Sequence, residues 1–251
     1  MGLLEALQTR VLTADGAIGT LLYSYGLDYC HEEMNVTKRE VVQKIHEQYI
    51  AAGADIIQTN TYGANAIKLA RYGYEGRVKE FNEAAVQLAK VAAGNDVFVL
   101  GTIGGIRGIR KSDATLEEII QAIHEQAQVL IDSGVDGILL ETFYDFEEIE
   151  AAVRAVRALT TKPIIAQVSM HEPGILQGGI PFAEALTALE KAGADIVGSN
   201  CRLGPFHTIQ AFEKVNLPEK AYLSAYPNAS LLDVEDGRVV YESEADYFAR
   251  A

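Results

Sequence analysis

The residues best placed to do chemistry are two carboxylates and a thiol, each at the end of a short apolar run. Glu141 follows the run GILL at 137–140, which puts a carboxylate at the top of a buried strand, where an unpaired charge is costly. Two readings are open for it. It is a structural carboxylate bonded to backbone amides or a nearby Arg, or it is a functional one, pairing a substrate ammonium or acting as a general base. Asp15 follows the run VLTA and precedes Gly16 and Ala17. Asp-Gly is a common turn dipeptide, so Asp15 either closes an Asx turn or holds a cation while the Gly16 and Ala17 amides face a carboxylate. Cys201 ends the run 195–201. A lone Cys is by default a small buried hydrophobe, with nucleophile and metal ligand as the alternatives.

Cysteine catalysis of the Cys-His kind needs an imidazole, and none of the five histidines falls at an obvious strand end. His46 and His124 lie mid-helix, and His207 follows the Gly-Pro of a loop. His31 adjoins Cys30, but adjacent side chains diverge, so the pair is a poor zinc site. The glycine-rich GTIGGIRG at 101–108 lacks the Lys-Ser/Thr ending of a phosphate loop. Its glycines more simply let the chain turn sharply above a site.

These groups need a scaffold, and the hydrophobic pattern supplies one. Short β-branched runs alternate with amphipathic stretches from end to end, giving strand candidates at Val11–Ala17, Asp55–Thr61, Asp96–Thr102, Gly137–Phe143, Pro163–Met170, Asp195–Cys201 and Ala221–Tyr226. Most are near-continuous apolar runs, as in parallel strands covered on both faces. Thr37 with Glu40 and Thr115 with Glu118 have the spacing of capping boxes. AAGADII (51–57), DSGVDGI (132–138) and KAGADIV (191–197) share one pattern, in which a helix ends, Gly53, Gly134 or Gly193 caps it left-handed, and a strand begins. Regular βα alternation predicts an α/β (β/α)8 TIM barrel, with a doubly wound open sheet as the second choice. Ligand sites in both folds gather at the carboxyl ends of the strands. There the expected strands deliver Asp15 and Gly16, then Gln58, Asn60 and Tyr62, then Glu141, Gln167, Ser169, Asn200, Cys201, Ser224, Tyr226 and Asn228. Seven strands fall short of eight, and a helix starts at Ser243 with Asp246 three residues on. The expectation is therefore a single domain, 1–251, lacking the last strand and helix of its barrel.

Composition excludes several partners. With 21 basic against 35 acidic residues the net charge is −14, so no basic patch is available to displace counterions from nucleic acid or an anionic membrane. No apolar run approaches the roughly 18 residues of a membrane span, and MGLLEALQTR carries no signal-peptide pattern. Two distant cysteines make no disulfide framework. A cytoplasmic protein is expected.

Five segments, DGAIGT (15–20), QTNTYGAN (58–65), GTIGG (101–105), LLETFYD (139–145) and GSNCRLGP (198–205), resemble the homocysteine S-methyltransferase family in order and spacing over nearly the whole chain. LLYSYGLD (21–28), RYGYEG (71–76) and LSAYPNAS (223–230) are most similar to bacterial members in which this module precedes a methylenetetrahydrofolate reductase domain. The resemblance implies a zinc-containing barrel that methylates the sulfur of homocysteine to give methionine. It makes Cys201 a zinc ligand, Glu141 and Asp15 binders of the amino-acid end, Gly16 and Ala17 backbone contacts, and Asn60 and Asn200 lining residues. Zinc would lower the pKa of the coordinated thiol. Members of the family take the methyl group from methylcobalamin or methyltetrahydrofolate, from S-methylmethionine or from betaine, and the likeness to reductase-linked members favours a folate- or cobalamin-linked donor without fixing it. The family's Gly-Gly-Cys-Cys segment, with two further zinc cysteines, does not occur in this sequence, so the chain as written is expected to hold zinc poorly and to have little activity. Two alternatives stand beside this: a metal-independent lyase or isomerase barrel with Glu141 as base, and a non-catalytic docking domain.

Overall fold

A computed structural model describes residues 1–26, 29–108, 113–216, 218–229, 232–235, 238–241 and 245–250. Helices α1 (Leu3–Leu7), α2 (Ile18–Ser24), α3 (Met34–Thr37) and α4 (Arg39–Ala51) precede the first strand, β1 (Ile56–Gln58). Then follow α5 (Ala66–Leu69), α6 (Val78–Ala93), β2 (Phe98–Gly104), α7 (Leu116–Asp132), β3 (Gly137–Phe143) and α8 (Phe146–Leu159). After these come β4 (Ile164–Val168), α9 (Phe182–Ala192), β5 (Ile196–Asn200), α10 (Pro205–Phe212) and β6 (Tyr222–Tyr226). An antiparallel hairpin, β7 (Leu232–Glu235) with β8 (Arg238–Tyr241), and α11 (Ala245–Arg250) complete the described elements.

Strands β1 to β6 pair in parallel and in sequential order. A doubly wound sheet reverses its order at a switch point, so sequential order is the barrel's arrangement. The sheet curls into a half-barrel. Ile56, Leu100, Leu139, Ile165 and Ile196, one from each of β1 to β5, form one cluster with Leu3 of α1, which plugs the bottom of the curl. Their chain neighbours Ile57, Val99, Ile138, Leu140, Ile164 and Val197 point the other way and pack under α6 to α9. Strand side chains alternate between faces. Two residues beyond the inner apolar layer, the same face therefore turns to Gln58, Thr102, Glu141 and Gln167. The pattern that builds the core thus also aims the polar groups at the mouth.

The repeated segments do more than cap helices. Gly53, Gly134 and Gly193 have φ of +102°, +88° and +115°, the left-handed caps expected of them. The Asp two residues on recurs for its own reason. Asp55, Asp136 and Asp195 each accept the backbone N–H of the neighbouring segment through Oδ2, from Thr13 at 2.9 Å, Val99 at 2.8 Å and Ile164 at 2.8 Å. Each clamps two adjacent segments at the foot of the barrel.

Several expectations need correction. Val11–Ala17 is not a strand; it contributes one parallel bridge, Ala14 to Ile56. The ladder stops because the Asp15 side chain, not a backbone carbonyl, takes the Gln58 N–H at 2.8 Å. Among the described residues six parallel strands therefore stand where seven were expected, and the hairpin was not foreseen. Thr37 does not cap α4: it is the last residue of α3, and its hydroxyl turns back to the Glu33 carbonyl at 3.2 Å. Lys38 is the N-cap, with no side-chain bond. The Thr115–Glu118 capping box forms in both directions. His207 lies within α10, whose first residue is Pro205. The helix start expected at Ser243 lies outside the described residues.

Candidate active site

The end of β3 carries the central group. Pairing with β4 skips from Leu140 to Phe143, so Glu141 and Thr142 form a bulge. Glu141 stays in register with Gly104 of β2, so alternation still faces it into the mouth, while the bulge re-aims Thr142 toward the end of β5. There the Asn200 amide joins the two strands. Its Oδ1 accepts the Thr142 N–H at 2.8 Å, and its Nδ2 lies 2.6 Å from Thr142 Oγ1, 3.3 Å from Glu141 Oε2 and 3.2 Å from Cys201 Sγ. Burial pushes the Glu141 carboxyl up to about 7, partly offset by Lys68. The Cys201 thiol is raised by burial and then by Glu141, against the Thr142 and Asn200 hydrogen bonds that pull it down.

Asp15 is buried at the turn out of the first segment and accepts both the Gln58 N–H at 2.8 Å and its Nε2 at 3.0 Å. Burial outweighs those bonds and lifts its carboxyl to about 8, with Glu141 contributing. Gly16 and Ala17 lie in the turn into α2, where the Tyr49 hydroxyl donates to the Ala17 carbonyl at 3.2 Å. The Tyr226 phenol is raised by burial and by the Asp15 and Glu141 charges.

On the opposite wall Tyr62 was expected at the mouth, whereas Lys68, Glu148 and Glu32 were not read from the sequence. Tyr62 lies flat on β2, where a Cβ on Gly104 would meet its ring at 2.2 Å; only glycine permits that approach. Lys68 of α5 covers the ring, with Nζ 3.8 Å from the centroid, and donates to the Gly104 carbonyl at 3.2 Å and the Tyr62 carbonyl at 3.4 Å. Burial lowers this ammonium to about 8, while Glu32, Glu148 and Glu141 hold it up. Glu148, fully buried, takes the Ile106 and Arg107 N–H groups at 2.6 and 2.9 Å and so ties down the glycine-rich loop after β2. Glu32 does the same for the Gly63 N–H at 2.6 Å. Apart from Lys68 and Tyr62, six residues apart, these contacts join residues more than thirty positions apart, where spacing gives no sign of them.

Of the expected site residues, Asp15, Glu141, Asn200 and Cys201 come together through direct bonds or mutual charge effects. Asn60 points elsewhere: its Nδ2 donates to the His31 carbonyl at 2.7 Å and to Asn35 Oδ1 at 3.1 Å. Cys30 is buried apart from the mouth with its thiol 3.5 Å from Glu32 Oε2, and is pushed up to about 12.

A family model described as homocysteine S-methyltransferase matches residues 12–251. The chain belongs to the homocysteine S-methyltransferase family. Among curated relatives of this family member, methionine synthase of Mycobacterium tuberculosis is 31% identical over 249 residues, covering 91% of this chain and 21% of that protein. Methionine synthase of Mycobacterium leprae is 29% identical over 269 residues, covering 99% and 22%. The chain thus spans about a fifth of the length of these relatives. In fold, it is similar to the homocysteine methyltransferase MmuM from Escherichia coli, with a TM-score of 0.74 and 22% identity for the metallated form, covering 83% of this chain and 81% of that one. The oxidized form gives 0.76 and 24%, covering 88% and 84%.

For a homocysteine S-methyltransferase the fit of zinc can be tested on the donors. A catalytic zinc site uses three protein ligands and an open position. Among the described residues no three His, Cys, Asp or Glu side chains gather closely enough to hold a metal. At the mouth, Cys201 has amide and hydroxyl groups of Asn200 and Thr142 around its sulfur, not further thiols or imidazoles. The described donor set does not fit zinc by itself.

Proposed function

We propose that this chain binds homocysteine at the mouth formed by the ends of β3 and β5 and is the module in which its sulfur accepts a methyl group, giving methionine. One observation carries the reading: the Asn200 amide nitrogen lies 3.3 Å from Glu141 Oε2 and 3.2 Å from Cys201 Sγ, which sets a carboxyl that burial pushes up to about 7 beside the thiol. A carboxyl poised there ionises when an ammonium arrives, because an opposite charge within a few ångströms favours its charged form. Asp15, held protonated by burial near neutral pH, then leaves Glu141 as the ammonium's main counter-charge. In this reading the backbone of Gly16 and Ala17 receives the substrate carboxylate, and Asn200 orients Glu141. Asn60 supports the wall from behind.

In the transfer, the new carbon–sulfur bond forms as the methyl–donor bond breaks. The donor keeps that bond's electron pair, and the thiol proton departs to solvent. The mouth contributes orientation, which converts an encounter into an aligned approach. Zinc, with Cys201 as one ligand, and a folate- or cobalamin-linked donor belong to the family resemblance, and no step here is routed through the metal. A methylenetetrahydrofolate reductase domain joined to this module and a cytoplasmic setting are parts of the same proposal. No helix among the described residues is long and apolar enough to cross a membrane.

Calorimetric titration of the chain with L-homocysteine tests the reading. Saturable binding to one site, weakened at least about tenfold in Glu141→Gln, the loss of one charge-assisted contact, is expected. Absence of binding at millimolar homocysteine would overturn it.

A further inference from the structure

Thr142 stands in a conformation that β-branched residues seldom adopt. Its φ is +57°, in the left-handed region where Cβ crowds the following carbonyl oxygen and a branched side chain makes matters worse. Cys201 and Arg202, with φ of +61° and +60°, are the other non-glycine residues of this kind among those described. All three are at the ends of β3 and β5. Strained backbone persists where its surroundings over-determine it, and here the Asn200 amide does so. It grips Thr142 twice, through the backbone N–H at 2.8 Å and Oγ1 at 2.6 Å. The same amide nitrogen faces Cys201 Sγ at 3.2 Å, and Thr142 Oγ1 faces that sulfur at 3.8 Å.

We propose that Thr142 is a positioning residue for Cys201. Its hydroxyl, locked by the bulge and by Asn200, sets the direction of the thiol and keeps the Asn200 amide shared between thiol and Glu141. A glycine would satisfy the backbone better than threonine; what glycine cannot supply is the hydroxyl. The functional weight of this inference rests on the homocysteine reading of the mouth, but the geometry does not.

The chain has two cysteines, so selective 13C labelling of cysteine gives two Cβ signals, with buried Cys30 as the internal reference. Wild type and Thr142→Ser are expected to share one Cys201 signal, the serine hydroxyl rescuing the contact. Thr142→Ala and Thr142→Gly are expected to shift and broaden that signal while leaving Cys30 unmoved. A purely structural turn predicts the reverse for Thr142→Gly, which relieves the strain: higher thermal stability and an unchanged Cys201 signal. That result would overturn the proposal, as would a displaced Cys201 signal in Thr142→Ser. The glycine variant is the one safest to fold, since its backbone prefers the native φ. Failure of wild type to bind homocysteine would count against the proposed function and leave this inference standing.

Discussion

Asp15 and Glu141 are carboxyls that folding makes more basic, and that fixes the sign of their effect on stability. Each binds its proton more tightly in the folded chain than in the unfolded one, so the stability it contributes is full below about pH 4, where both states are protonated. It is lost as pH rises through the folded values, about 8 for Asp15 and about 7 for Glu141. A tenfold change in proton affinity between the two states corresponds to about 1.4 kcal/mol. Asp15→Asn, which keeps an acceptor for the Gln58 N–H but cannot ionise, should therefore gain on wild type as pH rises from 5 to 9, by a few kcal/mol at most. Thermal melts of both proteins across that range check it, and a difference independent of pH would show that Asp15 is not held protonated. At this scale the sequence was informative where strand alternation still operated. Glu141 lies two residues beyond the inner-layer Leu139, and Asn200 four beyond Ile196, so their facing followed from the pattern. Asn60 lies past the end of β1, where alternation no longer decides direction, and it turned toward His31 and Asn35. Thr142 was missed because nothing in LLETFYD marks a bulge.

Helices and strands here are joined by a device repeated three times. At the α4–β1, α7–β3 and α9–β5 junctions a Gly-x-Asp gives a left-handed cap and a carboxylate that holds the adjacent segment. The glycines could be read directly, since only their conformation is special. The aspartates recur just as regularly at 55, 136 and 195, and that recurrence was the available signal for a cross-strand role. Asp136→Ala should leave the Val99 N–H without its partner, at a cost of about 1–3 kcal/mol, read as a lower denaturation midpoint with an unchanged slope. A loss below about 0.5 kcal/mol, the usual range for surface substitutions, would mean water replaces the carboxylate and the clamp is incidental. The missing first strand has the same origin. Thr13 takes the strand's place beside Asp55, but Asp15 interrupts the ladder one step later, and a backbone pattern broken by a side chain is invisible to hydrophobic periodicity.

Across the whole molecule, an acidic chain of net charge −14 closes a half-barrel around a mouth where its most perturbed carboxyls meet a half-buried thiol. Sequential parallel strands follow from the regular alternation of apolar runs and amphipathic helices, which is why the fold class was legible. Family membership rests on residues 12–251 as a unit, and the account's central claim is that this mouth reads the ammonium of homocysteine through Glu141. The most direct measurement is a four-way binding comparison, with homocysteine and N-acetylhomocysteine titrated into wild type and Glu141→Gln by calorimetry. The account predicts that blocking the ammonium weakens binding to wild type at least about tenfold, or about 1.4 kcal/mol, and changes binding to Glu141→Gln little. An equal loss in both proteins would contradict it, because the ammonium would then be recognised by some group other than Glu141.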